Sequence, residues 1–128
     1  MFSARKLLQM LADPLVITIN AVAKSLNKIN QDGYGSEYLL RDSTTEYRAK
    51  VRHSRTKADL TGQAYDRHNF ELVVTTFAVG DTPERHQRFY FVDERLPSDS
   101  NVDMADAVAD LMIASSDAFL KSLAAWQS

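Results

Sequence analysis

The sequence predicts an α+β domain, an antiparallel meander of strands followed by a helical C-terminus. Three observations carry this. Alternation of apolar and polar residues recurs between residues 15 and 96, interrupted by short turn signals. After Pro97-Ser98 the apolar period changes to that of a helix. The 128 residues are 45% apolar and 25% charged, which suits one globular domain.

Composition also excludes. There is no cysteine, so disulfides, thiolate metal sites and cysteine nucleophiles are ruled out. No apolar run approaches the ~20 residues a spanning helix needs, and no membrane partner is expected. The net charge is only -2, but residues 79–128 carry nine acids against four bases. A basic segment precedes this acidic part, as in a protein with one basic and one acidic face.

Taken in order, residues 1–13 read as a short amphipathic arm. Arg5 and Lys6 precede an apolar stretch, but Gln9 interrupts it and Asp13-Pro14 closes it too early for a signal peptide. Met10 offers a second start. Residues 15–30 read as a hairpin, with LVITI at 15–19 as one strand and 24–30 as the other, although 21–26 also fits a helix start. Asp32-Gly33 is a hairpin signal, since both residues tolerate positive φ. Strands follow at 36–40 and 46–53, separated by a polar turn at 41–44. After a polar loop over 54–62, a long strand covers 65–77, with Phe70, Leu72, Val74 and Thr76 on one face. Arg67, Asn69, Glu71, Val73 and Thr75 are on the other. The last strand, 85–96, is aromatic at Phe89, Tyr90 and Phe91, and its facing is ambiguous. Residues 100–127 are helical, with Ser100 as N-cap and early acids at the N-terminus. Met104, Val108, Leu111, Met112, Phe119, Leu123 and Trp126 form its apolar stripe, and Ser115-Ser116 marks a bend.

The basic strand is the candidate functional element. Arg48, Lys50 and Arg52 alternate with Tyr47, Ala49 and Val51, so three cations share one face. Residues 47–57 hold five Lys/Arg and no acid. A charge run is ordinarily a solvated face. Here the alternation, and the absence of acids within the segment, favour an anionic partner such as a phosphate backbone. The helix stripe is expected to cover the face bearing Tyr47, Ala49, Val51, Phe70, Leu72 and Val74. The opposite face, with Arg48, Lys50, Arg52, Arg67, Asn69 and Glu71, is expected to stay open. An aromatic last strand is a poor edge for a monomer, which predicts a dimer joined edge to edge.

The stretches KINQDGYGSEYLL, EYRAKVRHS, YDRHNFE and GDTPE resemble the coat proteins of the small single-stranded RNA bacteriophages (leviviruses), in particular that of the Caulobacter-infecting RNA phage. The likeness runs from about residue 15 to the C-terminus. It implies an N-terminal β-hairpin, a five-stranded antiparallel sheet, and C-terminal helices packing across a dimer partner. It further implies a T=3 icosahedral virion shell assembled in the bacterial cytoplasm, with single-stranded RNA on the inner sheet face and a maturation protein as a further partner. In well-studied members the dimer also represses translation by gripping an RNA hairpin. Arg48, Lys50 and Arg52 fall on the family's RNA-contacting strand, and Arg67, Asn69 and Glu71 on the next. Enterobacterial members have small Thr and Ser residues at two of these positions. Arg48 and Lys50 suit phosphates better than a base pocket. The loop with Gly80, Asp81, Thr82 and Pro83 matches the family's vertex loop.

No nucleophile motif, phosphate-cradling glycine loop or metal-ligand pair points to catalysis, and no cofactor is expected. His53, His68 and His86 fit no helical or hairpin ligand spacing and read as surface or hydrogen-bonded residues. Asp93, Glu94, Asp99 and Asp103 offer oxygens for a structural calcium at a subunit contact, provided they converge. Phe89, Tyr90 and Phe91 fit base stacking or core and dimer packing. Two functional classes stand: a self-assembling coat protein, and a non-viral dimeric RNA-binding regulator with the same open basic sheet.

Overall fold

A computed structural model describes residues 11–128. The expectations for residues 1–10, Met10 as a start among them, lie outside the described residues. The chain divides into two compact units, one ending at Glu94 and one beginning at Arg95.

The first unit holds β1 (Leu15–Ile19), β2 (Val22–Asp32), β3 (Gly35–Arg41), β4 (Thr45–Arg55), β5 (Asp66–Thr76) and all but the last residue of β6 (Arg85–Arg95). They form one six-stranded sheet in sequence order. The resemblance implies a separate hairpin and a five-stranded sheet. The difference arises in β2, which is long enough to serve twice. Its first half pairs with β1, from Val22 opposite Ile19 to Leu26 opposite Leu15. Its second half pairs with β3, from Asn27 opposite Leu39 to Asp32 opposite Gly35.

Alternation decides which face is apolar. Leu26, Tyr38 and Ala49 are fully buried, Tyr47 nearly so. Around them pack Leu15, Ile17, Ile19, Leu40, Val51, Phe70, Leu72 and Val74. Burying a leucine such as Leu26 contributes about 1.5–3 kcal/mol. The sheet is curled: Lys24 Nζ of β2 lies 5.4 Å from the ring centroid of Tyr47 on β4, two strands away. The β1–β2 hairpin thus folds over part of its own apolar face, and the lysine amine sits on an aromatic ring.

The turns differ from the sequence reading in instructive ways. Asn20 and Ala21 form a two-residue turn with φ of 50° and 63°, the positive-φ pair that matches strand twist. Alanine rarely takes this conformation, so nothing in the residue types warns of it. At Asp32-Gly33 a hairpin does form, but its central residues are Gly33 and Tyr34. The Asp32 carboxylate accepts the Tyr34 N–H at 2.7 Å, an Asx turn rather than a positive-φ pair. The tight glycine is Gly35, where a Cβ would lie 2.3 Å from the Val51 carbonyl oxygen. Between β3 and β4, the Asp42 carboxylate accepts the N–H groups of Thr44 and Thr45, both at 2.8 Å. These bonds, Thr44 first, hold its carboxyl below the usual range.

The second unit contains α1 (Asp103–Ala124). It starts three residues later than the sequence predicts. Ser100 does not cap it, and the N-cap Val102 offers no side-chain bond. Instead Asn101 Oδ1 accepts the Asp103 N–H at 2.8 Å, and Asp103 and Asp106 sit in the first turn, where the helix dipole favours acids. The bend at Ser115-Ser116 is present and sharper than expected. Ala114 has ψ of 143°, and Ser115, Ser116 and Asp117 adopt φ of 53°, 55° and 65°. The apolar stripe is therefore two stripes. Met104, Val108, Leu111 and Met112 precede the break, and Phe119 and Leu123 follow it. Trp126 stands beyond the helix end with φ of 65°. No helix residue is buried within the single chain.

Candidate nucleic-acid interface

Antiparallel register places the predicted residues on one face. Arg48, Lys50 and Arg52 of β4 lie opposite Leu39, Glu37 and Gly35 of β3. On the other side they lie opposite Val73, Glu71 and Asn69 of β5, and Ser54 lies opposite Arg67. Directly paired residues share a face. All six predicted residues are thus brought together, on the side away from Tyr38, Tyr47 and Ala49.

The electrostatics depart from the sequence reading. Residues 47–57 contain no acid, but Glu46, just before them on β4, and acids of neighbouring strands supply them. Arg48 makes an ion pair with Glu37 and a second with Glu46 at 3.4 Å. Glu46 also pairs with Arg41. The Arg41 guanidinium, helped by Arg48, holds the Glu46 carboxyl below its usual range. Glu37 in turn favours the charged form of Arg48. Arg67 is tied to Glu94 at 2.7 Å, and Glu71 to Arg88 at 3.4 Å. Two cations of the central strand, Lys50 and Arg52, have no carboxylate partner among the described residues.

Contacts to β5 resolve the facing of β6. Phe91 stacks on Phe70 with centroids 5.7 Å apart, which assigns Phe91, and with it Phe89, to the apolar face. Arg88 pairs with Glu71 and Glu94 with Arg67 on the polar face, so Tyr90 between Arg88 and Glu94 in the strand belongs there too. It is 61% exposed. The three aromatics thus divide between the two faces. Tyr34, at the tip of the β2–β3 turn, lines a shallow cleft with Arg52, Ser54, Arg67 and Asn69. Sequence reasoning missed Tyr34, because only the turn brings it beside β4.

Two further predictions meet the geometry. His53 and His68 are directly opposite on β4 and β5, with Nδ1 atoms 2.9 Å apart. They are hydrogen-bonded histidines, as expected, joined across a long loop that hides the pairing in the sequence. Among the described residues, no three His, Asp or Glu side chains of one chain converge as a metal site would need. At the expected vertex loop, Val79 and Thr82 exchange both backbone hydrogen bonds, at 3.0 and 2.9 Å. Gly80 supplies a φ of 54° there. Among the described residues, no helix is long and apolar enough to cross a membrane.

The family model described as phage phiCb5, coat protein matches residues 12–96, more than half of the chain. The chain belongs to that family. A comparison with curated proteins returns no match. The matched span covers all six strands and the loop over residues 80–83, and ends before α1. Membership gives the chain a structural role as a phage coat protein, a component of the virion, and bears out the resemblance of the residue strings to the coat protein of the Caulobacter RNA phage. It is a structural family rather than an enzyme family, and self-assembly into a capsid follows from it.

Proposed function

We propose that this coat protein dimerises, closes into an icosahedral shell, and holds single-stranded RNA on the polar face of its sheet. The observation that carries the RNA reading is the pair Lys50 and Arg52. Two cations without carboxylate partners among the described residues stand mid-strand on an open face, where phosphates gain most. Arg48, Arg67 and Glu71 shape that face through their ion pairs, and Asn69 adds a neutral hydrogen-bonding group. Tyr90, exposed on the same face, would offer a ring for base stacking.

Dimerisation is favoured by β6. It is one of the two edge strands, and Phe89, Tyr90, Phe91 and Val92 are all exposed in the single chain. The two apolar stripes of α1 are likewise exposed apart from the half-buried Met112, and a partner subunit would cover them. The loop of Gly80, Asp81, Thr82 and Pro83 would form the vertex contacts. A maturation protein, assembly in the host cytoplasm and repression through an RNA hairpin complete the reading. The non-viral regulator has lost its support, because the matched family is a phage coat.

The test is the double substitution Lys50→Ser and Arg52→Ser. Shells should still form and should contain less RNA, bound more weakly as salt rises. RNA content equal to that of the wild type would refute the role given to these two cations.

A further inference from the structure

The cleft at the end of the polar face, where the β2–β3 turn meets β4 and β5, has features that charge alone does not require. Tyr34 is 71% exposed, so its ring has no core role. Its backbone is nevertheless fixed from three directions. Asp32 Oδ1 accepts its N–H at 2.7 Å, and its carbonyl accepts the His53 N–H at 2.6 Å. The next residue, Gly35, is pressed so closely on Val51 that no side chain fits. A rigid backbone thus presents an aromatic ring to solvent. Beside it stands Arg52, without a carboxylate partner among the described residues. Ser54 and Asn69 line the same cleft and supply short neutral donors and acceptors. Arg67 is present too, but Glu94 occupies it.

We propose that this cleft is a subsite for one unpaired nucleotide of single-stranded RNA, with the base stacked on Tyr34 and the phosphate against Arg52. The inference rests on the RNA reading of the polar face and deepens it. A phosphate alone would need no ring, and a duplex keeps its bases stacked on one another. A ring, a free guanidinium and small polar groups together fit an unstacked nucleotide. Stacking accepts any base, so the subsite selects strandedness rather than sequence.

The experiment uses the purified full chain freed of RNA, with fluorescence anisotropy of a labelled oligouridine and of a labelled RNA duplex over a salt series. Tyr34→Ala should weaken single-strand binding by about tenfold. It should leave the salt slope and duplex binding unchanged, and Tyr34→Phe should bind as the wild type. Arg52→Ser should lower the salt slope by about one. If Tyr34→Ala binds oligouridine as tightly as the wild type while Lys50→Ser weakens it, the subsite is wrong and the RNA face stands. Equal losses on single strand and duplex, with an unchanged melting temperature, would also overturn the stacking role. A wild-type chain that binds neither RNA would overturn both readings.

Discussion

The Nδ1 atoms of His53 and His68 lie 2.9 Å apart across β4 and β5. One must carry a proton and the other a lone pair, so the contact tolerates at most one added charge. Burial, and then repulsion from His68, push His53 below its ordinary value of 6.5, against the attraction of Asp66. The unfolded chain therefore binds more protons than the folded one just below that value. The contribution of this pair to stability should be complete above pH 6.5, fall as pH drops through it, and level off below the folded-state value. An NMR titration of the ring protons should place His53 below its ordinary value of 6.5, and His68→Gln should move it upward. A His53 that titrates normally in the wild type would count against the contact.

Two glycines at one hairpin should respond oppositely. A Cβ on Gly35 would meet the Val51 carbonyl oxygen at 2.3 Å, so β3 and β4 must separate to admit it. Gly35→Ala should cost about 1–3 kcal/mol in chemical denaturation. A Cβ on Gly33 would meet nothing within 4 Å, and Gly33 has no positive φ. Gly33→Ala should be neutral or stabilise by up to about 1 kcal/mol, through the unfolded chain.

The three cations of β4 should separate by function. Arg48 is held by Glu37 and Glu46, whereas Lys50 has no carboxylate partner among the described residues. Arg48→Ser should destabilise the fold by about 1 kcal/mol, since it leaves two carboxylates without this cation. It should change the salt slope of RNA binding less than Lys50→Ser does. Comparing thermal melts with binding slopes for the two variants checks this, and equal slopes would contradict it.

Removal of residues 80–83 should act on assembly alone. The turn is closed by the Val79–Thr82 bridge, and a Cβ on Gly80 would meet nothing within 4 Å. Size-exclusion chromatography should show dimers of the shortened chain and no shells. Normal shells would contradict the vertex role.

Much of the strand layout was legible in the sequence because alternation survives in β4 and β5, down to the division of Phe70, Leu72 and Val74 from Arg67, Asn69 and Glu71. What escaped was what alternation cannot carry. The double use of β2 depends on which strand each half meets. Two of the acids that neutralise Arg48 and Arg67, Glu37 and Glu94, come from other strands and only register brings them close, whereas Glu46 stands two residues before Arg48 on the same strand. Tyr90 and Phe91 differ in role by one position, and their facing became clear only through the contacts of Arg88, Phe91 and Glu94 with β5. The helix start shifted because Asn101, not Ser100, accepts the first free N–H.

The central claim is that this chain alone builds a shell around RNA. Expression of the full chain in bacteria, followed by electron microscopy of the soluble fraction and its ultraviolet absorbance ratio, tests it most directly. The account predicts uniform closed particles rich in nucleic acid. Soluble dimers free of RNA, with no particles, would contradict it.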